Sequence, residues 1–219
     1  MSIASNNHQR LAIIGAGELG CQIVHHARTC GYQIAGFFDN HKSPGTLINS
    51  YEIFGTAEQI EPLYAQHKFD CLAIGIGYTH FAYRKEVFER FHGRIPFATI
   101  IHPAAMIDDS SVVGEGSVIL AGTVVDMGVT IGQNTFINPG SNIAHDSIVG
   151  SHCFLGPAVT IAGRVRIGEC CFLGVGTTVR DHLVLNDYCK TGAGAVVVKN
   201  ITEPHVYHIG NPARKMTKP

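Results

Sequence analysis

The chain has 219 residues, 45% hydrophobic and 15% charged, so it is neither disordered nor heavily solvated. Sixteen Lys and Arg against 17 Asp and Glu give a net charge of −1, with no surplus for a nucleic-acid backbone or an anionic membrane. No apolar run reaches the ~18 residues of a membrane span, and seven unpaired-looking cysteines with a polar start predict a reducing, cytoplasmic setting.

In chain order, Arg10–Ile14 reads as a buried strand that runs into Gly15-Ala16-Gly17-Glu18-Leu19-Gly20. A helical stretch follows from Cys21 to Cys30 and is ended by Gly31. A second apolar strand, Gln33–Phe38, closes on Asp39-Asn40. Cys71–Ile74 is a third strand leading to Gly75, Tyr83–Phe91 a helix, and Phe97–Ile101 a last strand. This series predicts a small parallel sheet whose Gly-x-Gly-x-x-Gly turn suits a phosphate at a helix N-terminus. Asp39, 19 residues after Gly20, stands where an acid meets a ribose hydroxyl. Only about 100 residues are available, one mononucleotide half and not the two that span a dinucleotide. A nucleotide diphosphate fits this half better than NAD does; the alternative is a glycine turn needed only for packing. Tyr78, Thr79 and His80 are candidates to touch base or sugar, or else to pack the loop.

From Ile101 onward the sequence keeps time in sixes. Ile101, Ile107, Val113, Ile119, Val125, Ile131, Ile137, Ile143, Val149, Leu155, Ile161, Ile167, Leu173, Val179, Leu185, Thr191 and Val197 are all aliphatic except Thr191. The following residue is Gly at Gly114, Gly132, Gly150, Gly156, Gly168, Gly174 and Gly192, and the fourth after each aliphatic is mostly small or β-branched. A period of six fits neither a helix nor an ordinary strand. It fits short strands joined by tight turns, three to a coil of 18 residues: the hexapeptide repeat of a parallel β-helix. Coils then stack at about 4.8 Å, giving a prism roughly 25 Å long. Sandwich strands, by contrast, recur every 8–12 residues with irregular loops and would lose phase. The boundary between halves is expected at 97/98, giving units 1–97 and 98–219.

Residues near 145 stand out within this frame. His145 lies two after Ile143, an outward turn position, with Asp146 next to it; one coil on, position 163 is Gly and 164 is Arg. Base and bare backbone are therefore expected to stack directly, and Asp146 to meet Arg164. Cys153, Cys171 and Cys189 are spaced by 18 in the inward phase and predict an internal ladder of thiols, while Cys170 falls in the outward phase. No two of His102, His145, His152 and His182 are separated by 18 or 36, which speaks against a stacked-histidine metal site.

The glycine-rich α/β half joined to an uninterrupted hexapeptide prism resembles bacterial sugar acyltransferases of the NeuD/PglD type. The likeness covers about residues 10–215, including the terminal Gly210-Asn211-Pro212-Ala213-Arg214. The resemblance implies a left-handed β-helix, a homotrimer, and acetyl-CoA lying between adjacent prisms. It implies His145 as general base, Asp146 as the group that orients it, and Gly163 as the N–H facing the thioester oxygen. Coenzyme contacts fall at Phe154, Val175 and Ala193. Many members have His where this chain has Phe154, and His152 nearby is a candidate substitute. The nucleotide-sugar contacts it implies are Gly15, Gly17, Asp39, Asn40 and Gly75, with Asn138 toward the accepting sugar. Members often carry Ser-Gly-His where this chain has Gly17-Glu18-Leu19, so those side-chain contacts to a diphosphate are missing. The expected activity is N-acetylation of a UDP- or dTDP-linked 4-amino-4,6-dideoxy sugar for surface glycans. The alternatives are O-acetylation of a sialic or related acid, and a nucleotide-sugar-binding protein without catalysis.

Overall fold

The computed structural model describes residues 9–216, and the chain divides into two compact units, Met1–His102 and Pro103–Pro219. That division falls five residues after the expected one: of Phe97–Ile101 only Ile100–Ile101 is strand, and Phe97 makes an isolated bridge to Leu72.

In the first unit, β1 (Arg10–Ile14) is buried from Leu11 onward and feeds α1 (Glu18–Thr29), which turns Ile23, Val24 and Ala27 into the core. Next come β2 (Gln33–Phe38), β3 (Leu47–Ile48), β4 (Tyr51–Gly55) and α2 (Ile60–Ala65). Residues 41–70 carry no clear period in the sequence, yet they add two strands to the sheet and a short helix. Here β4 pairs parallel with β2, β3 folds back antiparallel on β4, and a Thr56/Gln59 capping box starts the 3-10 turn before α2. The unit continues with β5 (Cys71–Ile74) and α3 (Phe81–Phe91). The sheet order β3-β4-β2-β1-β5 sets the C-terminal ends of β2, β1 and β5 side by side. That is the edge at which open α/β sheets bind ligands.

The second unit is a left-handed parallel β-helix of two-residue strands in three sheets. As far as Val197 the register step is 18 residues: Val125 pairs with Ile143, Ile143 with Ile161, Ile161 with Val179, and Val179 with Val197. The aliphatic positions fill the axis, and small polar residues between them are buried and bonded. Ser117 Oγ donates to the Gly132 carbonyl at 2.8 Å, Thr135 Oγ1 to Gly150 at 2.9 Å, and Ser147 Oγ to Ala162 at 2.9 Å. Cys153 and Cys171 occupy the same position, and their thiols donate to Gly168 and Asn186 at 3.1 and 3.3 Å. The inward ladder of thiols is thus also a ladder of donors.

The structure adds a second period of six, which the sequence does not display. Every sixth residue from Gly116 to Gly194 has a left-handed backbone, with φ between +50 and +74°. Six of these positions are Gly; the others are Asn134, Asp146, His152, Ala158, Arg164, Cys170, His182 and Tyr188. The glycines that follow the aliphatics have another reason: a Cβ at Gly114 would sit 2.5 Å from the Gln133 nitrogen one coil on. Close coil contact, not turn conformation, selects them.

Candidate active site

His145 sits on the turn after the strand Asn142–Ile143, half exposed, at one corner of the prism. Its Nδ1 lies 3.0 Å from Asp146 Oδ2. One coil on, the strand register and the bond from the Arg164 N–H to the His145 carbonyl at 2.9 Å bring Gly163 against the imidazole. A Cβ at Gly163 would lie 2.6 Å from Nε2. Any larger residue would displace the ring, so the ring rests on bare backbone. Among the described residues no group accepts from the Gly163 N–H, whereas its carbonyl accepts from His182 at 3.1 Å. With Nδ1–H directed at the carboxylate, Nε2 is left as the acceptor, the protonation a base requires. The His145 and Arg164 side chains beside Asp146 hold its carboxyl below the usual carboxylate range.

In the first unit, Gly15, Asp39, Asn40, Ile76, His80 and Tyr83 line a cavity of about 180 Å³ at the sheet edge. Asp39 Oδ2 accepts from the Ala16 N–H and Oδ1 from the His41 N–H, both at 2.8 Å, so the carboxylate braces the glycine turn. Asn40 accepts from the Ala57 N–H at 3.1 Å and donates to the Tyr83 hydroxyl at 2.7 Å. The glycines separate by role. Gly15 has φ +99°; a Cβ on Gly20 would run into the Gly15 carbonyl, and one on Gly75 would sit 2.6 Å from Gly20 Cα. These three lock the turn to β5. Gly17, by contrast, has nothing within 4 Å of where its Cβ would be, and Gly77 likewise.

Known proteins match both halves. The model of the PglD N-terminal domain covers residues 10–91, and that of the GMPPB C-terminal domain covers 95–205. A solved structure of a histidine-to-alanine mutant of GDP-perosamine N-acetyltransferase from Caulobacter crescentus, in complex with CoA and GDP-perosamine, is 30% identical. It covers 95% of this chain and 97% of its own, with a TM-score of 0.86. The chain belongs to the PglD/NeuD-type family of sugar acetyltransferases. It is therefore an acyltransferase. The acetyltransferase domain of PglB from Neisseria gonorrhoeae is 26% identical over 95% of this chain and all of that one, at a TM-score of 0.85. The same domain in complex with acetyl coenzyme A is 25% identical over 96% and 100%, also at 0.85. No sequence among the curated proteins matches this chain.

The remaining candidates divide. Val175 and Ala193 lie on turns flanked by glycine, Val175 half exposed, but at a different corner from His145. Phe154 stacks between Phe136 and Phe172, with centroids 5.3 and 6.0 Å apart, so this position offers a hydrocarbon face and no hydrogen-bonding side chain. His152 does not replace it. That ring is buried, and its Nδ1 accepts from the Asn134 amide at 3.0 Å. Asn138 also turns inward; its amide donates to the Leu155 carbonyl at 2.8 Å, clamping two coils and leaving 7% exposed. An open contact with the accepting sugar is not what this side chain offers. Cys170, expected outward, is buried as well.

Of the loop after β5, His80 reaches the cavity while Tyr78 and Thr79 do not line it. Sequence reasoning missed Tyr83, His41 and Arg84. Arg84 is buried and donates to the Ile74 and Ile76 carbonyls at 2.9 and 3.0 Å, which shapes the loop around Gly75; burial pushes its pKa down to about 10. An apolar β5 end followed ten residues later by an arginine on a helix was the available signal. Among the described residues no group of three or more His, Cys, Asp or Glu is placed to hold a metal, and no helix is long and apolar enough to cross a membrane.

Proposed function

We propose that the chain transfers an acetyl group from acetyl-CoA to the amino group of a nucleotide-linked sugar. The acceptor is a UDP- or dTDP-linked 4-amino-4,6-dideoxyhexose destined for surface glycans, handled in the cytoplasm. The single observation that carries this reading is the imidazole Nε2 of His145 lying against the bare Gly163 backbone. When bound, acetyl-CoA supplies an acyl thioester. His145 Nε2 takes the proton that the amine sheds as its nitrogen bonds to the acyl carbon, and returns it to the sulfur as the C–S bond breaks. Base assistance of this kind is worth roughly 10²–10⁴-fold. Asp146 keeps the proton on Nδ1 and supports the imidazolium that forms. The Gly163 N–H is free to donate to the carbonyl oxygen as it gains charge, a contribution of several kcal/mol in a preorganised site.

The open space over Gly17, at the start of α1, receives the diphosphate of the nucleotide, and the Asp39–Asn40–Tyr83 group borders base and ribose. Glu18, in the first turn of α1, supplies no side-chain donor there, which leaves the phosphate to backbone N–H groups. Val175 and Ala193 on a different corner from His145 support a homotrimer, in which a second prism contributes to each coenzyme site.

The test mixes protein, acetyl-CoA and a panel of UDP-, dTDP- and GDP-linked amino sugars, following thiol release and product mass. Turnover on an amino sugar that falls at least 100-fold in His145→Ala supports the reading, and undiminished turnover in that variant removes His145 as base. Acetylation of free sialic acid alone would select O-transfer. Tight nucleotide-sugar binding without turnover would select the non-catalytic alternative.

A further inference from the structure

The His145–Asp146 pair is not closed on itself. Asp146 and Arg164 occupy the same left-handed turn position in successive coils, with φ +57 and +60°, so their side chains leave the corner one above the other. The Arg164 N–H donates to the His145 carbonyl at 2.9 Å, which fixes that register. Arg164 Nε then lies 3.5 Å from Asp146 Oδ2, the oxygen that is 3.0 Å from His145 Nδ1. One carboxylate oxygen serves two donors.

The charged groups of the coils directly above and below this layer have other partners. One coil beyond Gly163, Asp181 is paired with Arg180 at 3.9 Å and His182 at 3.6 Å. One coil before His145 stands Met127, whose N–H donates to Asp126 Oδ1 at 2.8 Å. Arg164 is thus the cation set against the carboxylate of the pair. All three members of the group are about half exposed, and a side chain in that setting swings freely unless a second contact holds it.

We propose that Arg164 is a positioning residue for the proposed acetyl transfer, holding Asp146 Oδ2 on Nδ1 of His145 and opposing charge on the imidazole, so that Nε2 stays neutral and turned to Gly163. The inference rests on His145 as the base. Its two consequences are separable. Loss of the guanidinium loosens the carboxylate, which lowers the rate at every pH. It also leaves Asp146 to stabilise the imidazolium unopposed, which moves the loss of activity in acid to higher pH.

The experiment compares Arg164→Lys, Arg164→Gln and Arg164→Glu in the full chain. The acidic limb of kcat/KM should move upward in that order, by roughly half a pH unit for Arg164→Gln, the size expected of an exposed pair. Plateau rates should fall no more than about threefold, with Arg164→Lys nearest wild type. Limbs that superimpose, or a loss of plateau rate with the limb fixed, would overturn the proposal. In an Asp146→Asn background the Arg164→Gln shift should drop below half, and an undiminished shift would remove the part assigned to the carboxylate. Titration of the His145 imidazole resonances in the protein alone gives the same ordering without substrate. That ordering with no turnover on any amino sugar would sink the proposed activity while leaving the coupling of Arg164 to His145 through Asp146 standing.

Discussion

Glycine serves the two units in different ways. In the prism, from Gly114 to Gly174, each glycine directly after an aliphatic meets the next coil in the same manner, one contact repeated along the axis. Gly163, one place further along its own repeat, meets an imidazole instead. In the α/β unit Gly15, Gly20 and Gly75 come from separate places in the chain and lock into one knot, while Gly17 opens to solvent. The contrast teaches what a glycine signature reports. In a repeat, a glycine that breaks the pattern of neighbours marks a site. In a Gly-x-Gly-x-x-Gly turn, most of the signature reports packing, and only the unfilled position speaks of a ligand.

Breaking the knot should have the largest effect. Gly75→Ala forces a methyl against Gly20 Cα and the Gly15 carbonyl, and the expected loss is ~3 kcal/mol in denaturant unfolding of the first unit. A loss under about 0.5 kcal/mol would mean the turn relaxes freely and the knot is no constraint. Gly163→Ala inverts the signature: the coil tolerates the methyl by moving the ring, so Tm stays within a few degrees while kcat/KM falls about 100-fold. Equal losses of stability and rate would erase the distinction between site glycine and packing glycine. Gly17→Ala sharpens it further. Its methyl meets no protein atom, so stability should hold within about 0.5 kcal/mol. Calorimetry should show nucleotide-sugar affinity weakened about tenfold, the size of one hydrogen bond to a charged phosphate that the methyl holds off.

The smallest expected effect lies on the surface of the α/β unit. Arg10 donates to Asp70 at 2.7 Å and holds that carboxyl below its ordinary range. A carboxylate with a lowered folded pKa stabilises above its unfolded value near 3.9 and loses that contribution as pH falls through the folded one. Asp70→Asn should therefore lower stability by under about 1 kcal/mol at neutral pH and converge with the parent as pH falls below about 4, which flattens the acid side of the stability curve. A loss that persists undiminished in acid would show that packing, not charge, explains the pair.

The prism was legible because its inward residues are chemically alike and evenly spaced, so arithmetic alone carried His145 to Gly163. The left-handed positions were not, because Asn134, His152, Arg164, Cys170 and Tyr188 share a backbone conformation and nothing else. Their burial was less legible still. Asp146 and His152 hold equivalent turn positions, yet one is half exposed and the other buried; phase along the chain does not say which corner is covered. Asn138 misled for a similar reason, since its amide answers a carbonyl one coil away that sequence does not reveal. In the α/β unit the strands next to glycine were readable from their apolar runs. Residues 41–70 were not, because β3 is only two residues long, β4 sets Glu52 among apolar side chains, and α2 is too short to show a period.

The 18-residue register also makes the prism a measuring rod. Splicing out or adding one complete circuit beyond Gly163 would slide everything above it by a single rung, ~4.8 Å, and leave the reacting layer untouched. An insertion within a circuit that is not a multiple of six would turn aliphatic faces to water, and one of six or twelve would carry the later strands to a different face of the prism. Lineages built on this frame can therefore retune how long an acyl carrier they reach along only in whole steps.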